Sequence, residues 1–437
     1  MIINDPVHGF IPAEDSLIIE LINSRNFQHL RRIRQLGTTF ITYPGAEHTR
    51  FLHSLGVYFL GTRIIEHLFN LSSNPFSHLS TEERCHIKRV VQVACLLHDI
   101  GHGPFSHLFE RITGIPHEDW TRKIILGEEP SEIFHILTRY DSTLPKEVVS
   151  LLDKNFLDPH FNIPSCLNWI ISSELDADRM DYILRDAYYT GVRSGFINVE
   201  RIIYTLDVYR ENIKGQIKEK IVVWDKSFYN IEEYVFARYY LYWKVYYHKT
   251  TRFFDLLMLK IFQRLLEVSN SSDMELASPN LIKVITTSPI RLADWLGVDD
   301  NDILISIKSW AKQAKDDILR DLASRFLYRK PFKCIPAEVL EKGSSSIIEK
   351  IREAEAYLQN QGVDTRYYFL DDQAHSCPYN FYDEEIGTIY IIDKFSNKPH
   401  PLSELSSQIR MLSQRKAARR FYVLPKYFSR VVEIFSR

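Results

Sequence analysis

Apolar residues recur at helical spacing along most of the first 270 positions, and the spacing predicts a chain of helices. Val90, Val91, Val93, Ala94, Leu96 and Leu97 form a run interrupted only by Gln92 and Cys95, long enough for the last turns of a buried helix. The run meets His98, Asp99 and His102, and Gly101, Gly103 and Pro104 supply its end. A second helix opens near His53, with Leu52, Leu55, Val57, Leu60, Ile64 and Leu68 on its apolar side. Upstream, one helix is expected over Leu17 to Leu36, kinked or split at Asn23 to Asn26. Asn70 to Ser80 reads as a loop, with His78 and the nearby His86 at the surface. Ile197 to Tyr209 is expected to be helical, and Ile217 to Trp224 to be a strand of a small hairpin. An aromatic helix over Phe228 to Thr250 follows, most of its rings read as core.

The pattern changes after Lys260. Ser269 to Asn280, rich in Ser and Asn, marks a boundary. Helices are expected over Leu281 to Leu296 and Ile303 to Phe326. Strands are expected at Thr365 to Leu370, Gly387 to Ile392 and Arg420 to Leu424, with a helix near Leu402 to Ser413. The fold class is mainly α, with a helical unit over 1–268 and a smaller mixed α/β lobe over 269–437, read as an assembly or regulatory element.

Composition narrows the class of function. A chain of 437 residues with net charge −2 and 25% charged residues lacks the basic excess of a dedicated nucleic-acid binder. Cys85, Cys95, Cys166, Cys334 and Cys377 show no CxxC spacing and leave an odd thiol, which argues against a disulfide framework and for a reducing compartment. No window reaches the roughly 20 apolar residues of a membrane span, and no signal-peptide pattern opens the chain. A cytoplasmic location is expected.

Candidate chemistry concentrates in three stretches. Neighbouring residues on a helix point about 100° apart, so His98 and Asp99 converge on one point only near a helix end. There they offer a metal one nitrogen and one oxygen. His53 reaches inward if its apolar face packs on the core. In SSELDADRMDYILRDA, Glu174, Asp178, Tyr182 and Arg185 lie along one helical stripe. Carboxylates buried there require a cation. Next to this set, His107 and Glu110 share a helix face, and a Gly114-Ile115-Pro116 break folds His117 back towards them. Such a trio suits proton transfer near neutral pH.

His53, His98-Asp99 and Asp178 match the H…HD…D pattern of the HD-domain metal-dependent phosphohydrolases. More narrowly the chain resembles their deoxynucleoside triphosphate triphosphohydrolase branch, through DPVHGFI, LRRIRQLG, YPGAEHTRFLHSLGV, HDIGHGPFSH and LDADRMDYILRDA, in that order. The resemblance covers about the first 250 residues. It implies an HD-domain helical core holding one divalent metal per subunit (Mn, Fe, Zn or Mg) on His53, His98, Asp99 and Asp178. It places His107, Glu110 and His117 as the catalytic group, with His102 contacting phosphate or a metal-bound water. Arg50, Arg179 and Arg238 match phosphate contacts, and Arg179 stands where a relative has lysine. Gln35, Leu36, Tyr182, Asp186 and Tyr246 match substrate-binding positions. Gln35 and Leu36 crowd the sugar and are expected to disfavour a ribose 2′-hydroxyl.

The implied reaction takes deoxynucleoside triphosphates to deoxynucleoside and inorganic triphosphate. The branch commonly forms homo-oligomers, here a tetramer or dimer, with nucleotide effectors at the interfaces. Gln28, Arg31, His248 and Lys249 match effector positions, whereas Asn23 replaces a carboxylate that reads guanine, so guanine-specific activation is not expected. Arg31, Arg32 and Arg34, and the run Arg415 to Arg420, are either solvated faces or phosphate contacts. Two readings stay beside the first. One is an HD phosphohydrolase of a nucleotide monophosphate, cyclic dinucleotide or nucleic-acid end. The other is a nucleotide-sensing or single-strand-binding module with weak turnover, which the near-neutral charge disfavours. Nucleic acid is accordingly not an expected partner, and neither is a membrane.

Overall fold

Ser80 and Glu83 close a reciprocal capping box at the start of the helix that leads to His98. That helix runs Thr81–Leu97 and buries Val90 through Leu97, leaving His98 as its cap. The computed structural model describes residues 1–153, 161, 163–213, 216–268, 272–340, 346–376, 388–393, 395, 397–412 and 416–437.

A hairpin of β1 (Ile2–Asp5) and β2 (Gly9–Pro12) opens the chain, its turn closed by Gly9 in the left-handed region at φ 74°. Helices α1 (Ser16–Asn23) and α2 (Arg25–His29) follow as two pieces, broken inside the Asn23 to Asn26 stretch where a kink or split is expected, and α2 ends short of Leu36. Ser24 is the cause. Its hydroxyl donates to the Leu21 carbonyl and accepts from the Phe27 N–H, ending one helix and starting the next. The core layer is built from α3 (Arg50–Phe69), α4 (Thr81–Leu97) and, after α5 (His107–Thr113), α6 (His117–Leu126), α7 (Glu132–Tyr140) and α8 (Leu144–Leu152), from α9 (Ala177–Thr190). Helix α3 packs against both α4 and α9, which brings three distant stretches of sequence to one place.

Downstream, α10 (Val199–Tyr204) stops short of Tyr209. Leu206–Ile213 is strand β3, paired antiparallel with β4 (Gln216–Trp224), because the hairpin needs an adjacent partner for Ile217 to Trp224. The aromatic segment is not one helix either. It divides into α11 (Phe228–Leu241), a π-helical turn at Tyr242–Tyr246, and α12 (Lys249–Glu267), which His248 caps through its side chain. Helices α13 (Pro279–Thr286) and α14 (Leu292–Trp295) flank Pro289, which donates no N–H to carry a helix through. Likewise α15 (Asp300–Gln313) and α16 (Asp317–Leu327) divide the helix expected over Ile303 to Phe326, with Asp316 capping the second.

Small sheets finish the chain. Strand β5 (Lys333–Cys334), β6 (Phe369–Ser376) and β9 (Lys416–Val423) form one sheet in the order β5-β9-β6. In the other, β7 (Tyr390–Ile392) pairs parallel with β4 and antiparallel with β8 (Pro399–Pro401). Thr365–Tyr368 is a short helix capped by Asp364, so the strand expected from Thr365 begins only at Phe369. The helix expected near Leu402 to Ser413 appears as two short pieces, Leu402–Leu405 and Ser407–Leu412. Cys377, Gly387, Ser413 and Arg415 and the start of the Ser269 to Asn280 segment lie outside the described residues; the four described cysteines are free thiols. Among the described residues no helix is long and apolar enough to cross a membrane.

The core crosses residue 269 without a break in packing. Trp295 stacks on Trp120 at 4.8 Å and donates from Nε1 to the Gly101 carbonyl at 3.1 Å, in the loop next to His98 and Asp99. A Cβ on Gly103 would come within 2.7 Å of the same indole. Residues after 269 thus hold the loop that follows α4. Trp295→Ala is expected to lower the free energy of unfolding by about 3–5 kcal/mol, measured by urea denaturation.

Candidate metal centre and catalytic cavity

The candidate metal-ligating set comes from three helices. His53 lies on α3, His98 and Asp99 follow α4, and Asp178 sits in the first turn of α9. His53 Nε2 stands 3.0 Å from Asp178 Oδ1 and 3.6 Å from Asp99 Oδ2. His98 Nε2 stands 3.4 Å from Asp99 Oδ1 and 3.9 Å from Asp178 Oδ1. Atoms bound to one cation at about 2.1 Å, 90–109° apart, are separated by about 3.0–3.4 Å. The four side chains converge on that scale.

The imidazoles are oriented for the task from behind. His53 Nδ1 donates to Asp181 Oδ2 at 2.7 Å, and His98 Nδ1 donates to the Cys95 carbonyl at 2.9 Å. Each bond fixes the ring's proton on Nδ1 and leaves the Nε2 lone pair facing inward. Both Nε2 atoms are buried and lack a hydrogen bond of acceptable geometry. Burial opposes charge on His53, yet Asp178 and Asp181 outweigh it and hold the imidazole pKa up at about 10. Asp99 experiences the same burial, and His98, Arg50 and His102 draw its carboxyl well below the ordinary carboxylate range. The centre demands positive charge, and its donors, two nitrogens and at least two oxygens, fit a divalent transition ion.

Beside it stands a histidine cluster around one carboxylate. Glu110 accepts from His117 Nδ1 at 2.8 Å and from His107 Nδ1 at 3.2 Å. His102 Nδ1 lies 3.5 Å from the same carboxylate, and its ring stacks on His117 at 3.7 Å. Burial, Arg50 and His117 push His102 well below the usual imidazole pKa. His117 is raised, because Glu110, Asp99 and Glu118 overcome its burial. Glu110 in turn is held far below the usual carboxylate range by His107 and His117, against its own desolvation.

His107 follows a strained turn. Phe105 and Ser106 have φ 52° and 51°, unusual for residues with a side chain. Asp300 on α15 holds the turn by accepting from Phe105 N at 2.8 Å and from Arg34 N at 3.0 Å. Arg50 completes the hold, donating from Nε to Ser106 Oγ at 3.1 Å and from Nη1 to Asp99 Oδ2 at 2.5 Å. The arrangement places His107, whose side chain is 70% exposed, at the mouth of a cavity.

The cavity, about 550 Å³, is lined by Gln35, Leu36, Arg50, Asp99, His102, His107, His117, Asp178, Tyr182, Asp186 and Tyr246 among others. Asp186 is fixed by His48 Nε2 at 2.8 Å and by the Tyr246 hydroxyl at 2.5 Å. Arg179 and Arg238 do not line it: Arg179 Nη1 is paired with Asp176, and Arg238 with Glu174. Arg111, Arg252 and Asp255, which motif spacing did not single out, do. Of the effector candidates, Arg31 Nε donates to Gln28 Oε1 at 2.8 Å, and the guanidinium covers Phe51. His248 and Lys249 stand elsewhere, at the start of α12.

Sequence reasoning overlooked the support behind His53. Asp181, three residues past Asp178, shares the helix but points at Nδ1 rather than at the metal position. Its signals were present in the i, i+4 pair with Arg185 and in the Asp5-Pro-Val-His8 turn.

Known proteins resemble the chain in sequence and in fold. The model for the HD domain matches residues 50–182. The chain is 35% identical over 423 residues to the uncharacterized protein YwfO of Bacillus subtilis, covering 96% of this chain and 90% of that one. It is 31% identical over 268 residues to the deoxynucleoside triphosphate triphosphohydrolase SAMHD1 homolog of Dictyostelium discoideum, covering 60% of this chain but 48% of that protein. A crystal structure of a phosphohydrolase from Bacteroides thetaiotaomicron superposes with a TM-score of 0.75 at 29% identity, over 97% of this chain and 98% of that one. The chain belongs to the HD-domain family of metal-dependent phosphohydrolases.

Two outcomes follow from the geometry. An ideal Cβ on Gly56 would lie 1.8 Å from Asp181 Oδ1, so Gly56→Ala should displace Asp181 and cut bound metal, read by elemental analysis, by at least about tenfold. The Glu110–His117 pair stabilises the fold only while both groups are charged. Glu110's contribution is present above its ordinary pKa of 4.5 and lost as pH falls through its lower folded value. His117's is present below 6.5 and lost as pH rises through its raised folded value. The Tm difference between wild type and Glu110→Gln should therefore peak between these limits and shrink on both sides.

Proposed function

We propose that the protein hydrolyses deoxynucleoside triphosphates to the deoxynucleoside and inorganic triphosphate. One observation carries the reading: a single cavity is lined by Asp99 and Asp178, by His102, His107 and His117, and by Gln35, Leu36, Tyr182, Asp186 and Tyr246. The similarity to the Dictyostelium deoxynucleoside triphosphate triphosphohydrolase supports it.

A divalent ion on His53, His98, Asp99 and Asp178 would supply Lewis acidity at the α-phosphate and acidify a water. The chain's own groups do the rest. Arg50, locked between Asp99 and Ser106, presents fixed positive charge to the phosphates. Because Glu110 accepts the His107 Nδ1 proton, His107 Nε2 faces the cavity and delivers a proton to the leaving 5′-oxygen. After the transfer His107 keeps its Nδ1 proton and, being largely exposed, regains the Nε2 proton from solvent, while His117 holds the other oxygen of Glu110 in place. His102, kept neutral by burial and by the neighbouring positive charges, offers a nitrogen to phosphate or water without adding charge. Leu36 gives the sugar an apolar neighbour, against which a ribose 2′-hydroxyl would be left unpaired.

A homo-oligomer with nucleotide effectors at Gln28, Arg31, His248 and Lys249 belongs to the same proposal. A second reading, hydrolysis of a smaller phosphoester such as a nucleotide monophosphate, is favoured by one feature. Arg179 and Arg238 are committed to Asp176 and Glu174 and leave fewer cations for a triphosphate.

Chromatography of products decides between them. Metal-loaded protein with each deoxynucleoside triphosphate, singly and mixed, should release deoxynucleoside and triphosphate, and Asp178→Ala should release neither. Orthophosphate or a nucleoside monophosphate as product supports the second reading, and no turnover in any mixture overturns the first. Ribonucleoside triphosphates are expected to react at least about tenfold more slowly; equal rates would remove the assigned role of Gln35 and Leu36.

A further inference from the structure

The first hairpin carries a motif that the reaction leaves unused. Asp5, Pro6, Val7 and His8 join β1 to β2, where the hairpin meets α3 and α9. Asp5 Oδ1 accepts from the backbone N–H groups of Val7 and His8, both at 2.9 Å, which fixes the turn and aims the His8 ring inward. There His8 Nε2 donates to Asp181 Oδ1 at 2.6 Å, across 173 residues of sequence.

Asp181 is fully buried and accepts four hydrogen bonds. Oδ1 takes His8 Nε2 and Arg185 Nη2, and Oδ2 takes Arg185 Nε and His53 Nδ1. Arg185 Nη1 then donates to Asp5 Oδ2 at 2.8 Å, closing a ring from the hairpin back to the hairpin. Every oxygen in the ring is engaged, so the carboxylate plane that faces His53 has no freedom to rotate. His8 is the one donor that helix α9 does not itself supply to Oδ1.

We propose that His8 is a positioning residue that orients His53 through Asp181, so that the N-terminal hairpin sets the affinity of the metal centre. The inference rests on the metal reading of the centre and not on the identity of the nucleotide. Loss of the His8 bond frees Asp181 to turn towards Arg185 alone, and His53 Nδ1 loses the acceptor that fixes its tautomer. Outer partners of this kind change metal affinity by about 10–100-fold.

The test is the Kd for Mn²⁺ on the full chain, from the electron paramagnetic resonance signal of the free ion, with unfolding in urea measured in chelator. His8→Leu keeps apolar volume without a donor, and His8→Gln retains an amide N–H near the Nε2 position. His8→Leu should weaken Mn²⁺ by at least about tenfold, while His8→Gln stays within about threefold of wild type. The two should unfold alike in chelator. Equal affinities for the two variants overturn the proposal. If His8→Leu does not fold, His8→Asn takes its place, since its amide stops short of Asp181; wild-type affinity in that variant overturns the proposal too. Failure of wild type to bind Mn²⁺ would instead fall on the metal reading, and failure to hydrolyse nucleotides would touch neither result.

Discussion

A buried carboxylate that accepts four hydrogen bonds sets the frame for the rest of the molecule. Asp181 lies on α9, yet its partners come from α3, from the first hairpin and from the next turn of its own helix. An isolated charge in that position would cost several kcal/mol, and Arg185 with the His8 and His53 N–H donors supplies the compensation. The close approach of α3 to α9 that this requires is possible because residue 56 has no side chain. Once α3 is held there, His53 enters the interior at the level of Asp178 and of the end of α4. The convergence of the metal donors is therefore a consequence of how a second, outer layer of charges is satisfied.

The other half of the cavity depends on residues late in the chain. Asp300 accepts the Phe105 and Arg34 N–H groups, and Trp295 seals the loop at Gly101 and Gly103. A turn with positive φ at two consecutive side-chain-bearing residues persists only where surrounding bonds over-determine it. Here they come from α15 on one side and from Arg50 on the other. The reward is placement: His107 starts α5 beside Glu110 and His117, three imidazoles around one carboxylate. Helices beyond residue 269 thus act as the backing of the site, whatever further role the late sheets carry.

Charge explains why the two clusters differ. In the metal centre, carboxylates outnumber cations and the buried imidazole of His53 is driven towards protonation. A few ångströms away His102 is driven the opposite way by Arg50 and His117. Burial is common to both, so neighbours decide the sign. Histidines that the fold brings close together are by this means given distinct protonation tendencies, which suits the proposed pairing of a cation site with a proton-transfer group.

Local sequence alone determined a good deal: the amphipathic runs of α3 and α4, the glycine-rich end after His98, the acidic first turn of α9 and the Asn70 to Ser80 loop all follow from periodicity and turn chemistry. The spacing of His53, His98-Asp99, Asp178, His107, Glu110 and His117 carried the candidate chemistry, because those residue types have few uses in combination. The break at Ser24 falls in the stretch expected to split, whereas helix length was misjudged where an adjacent strand offers better pairing, as β4 does for Leu206–Ile213. Only the tertiary structure decided which arginines face the cavity and which are consumed by Glu174 and Asp176. It alone joined His8 to Asp181 and Trp295 to the loop beyond His98. Such links connect residues more than 170 positions apart, and a pairing at that distance leaves no periodic trace in the chain.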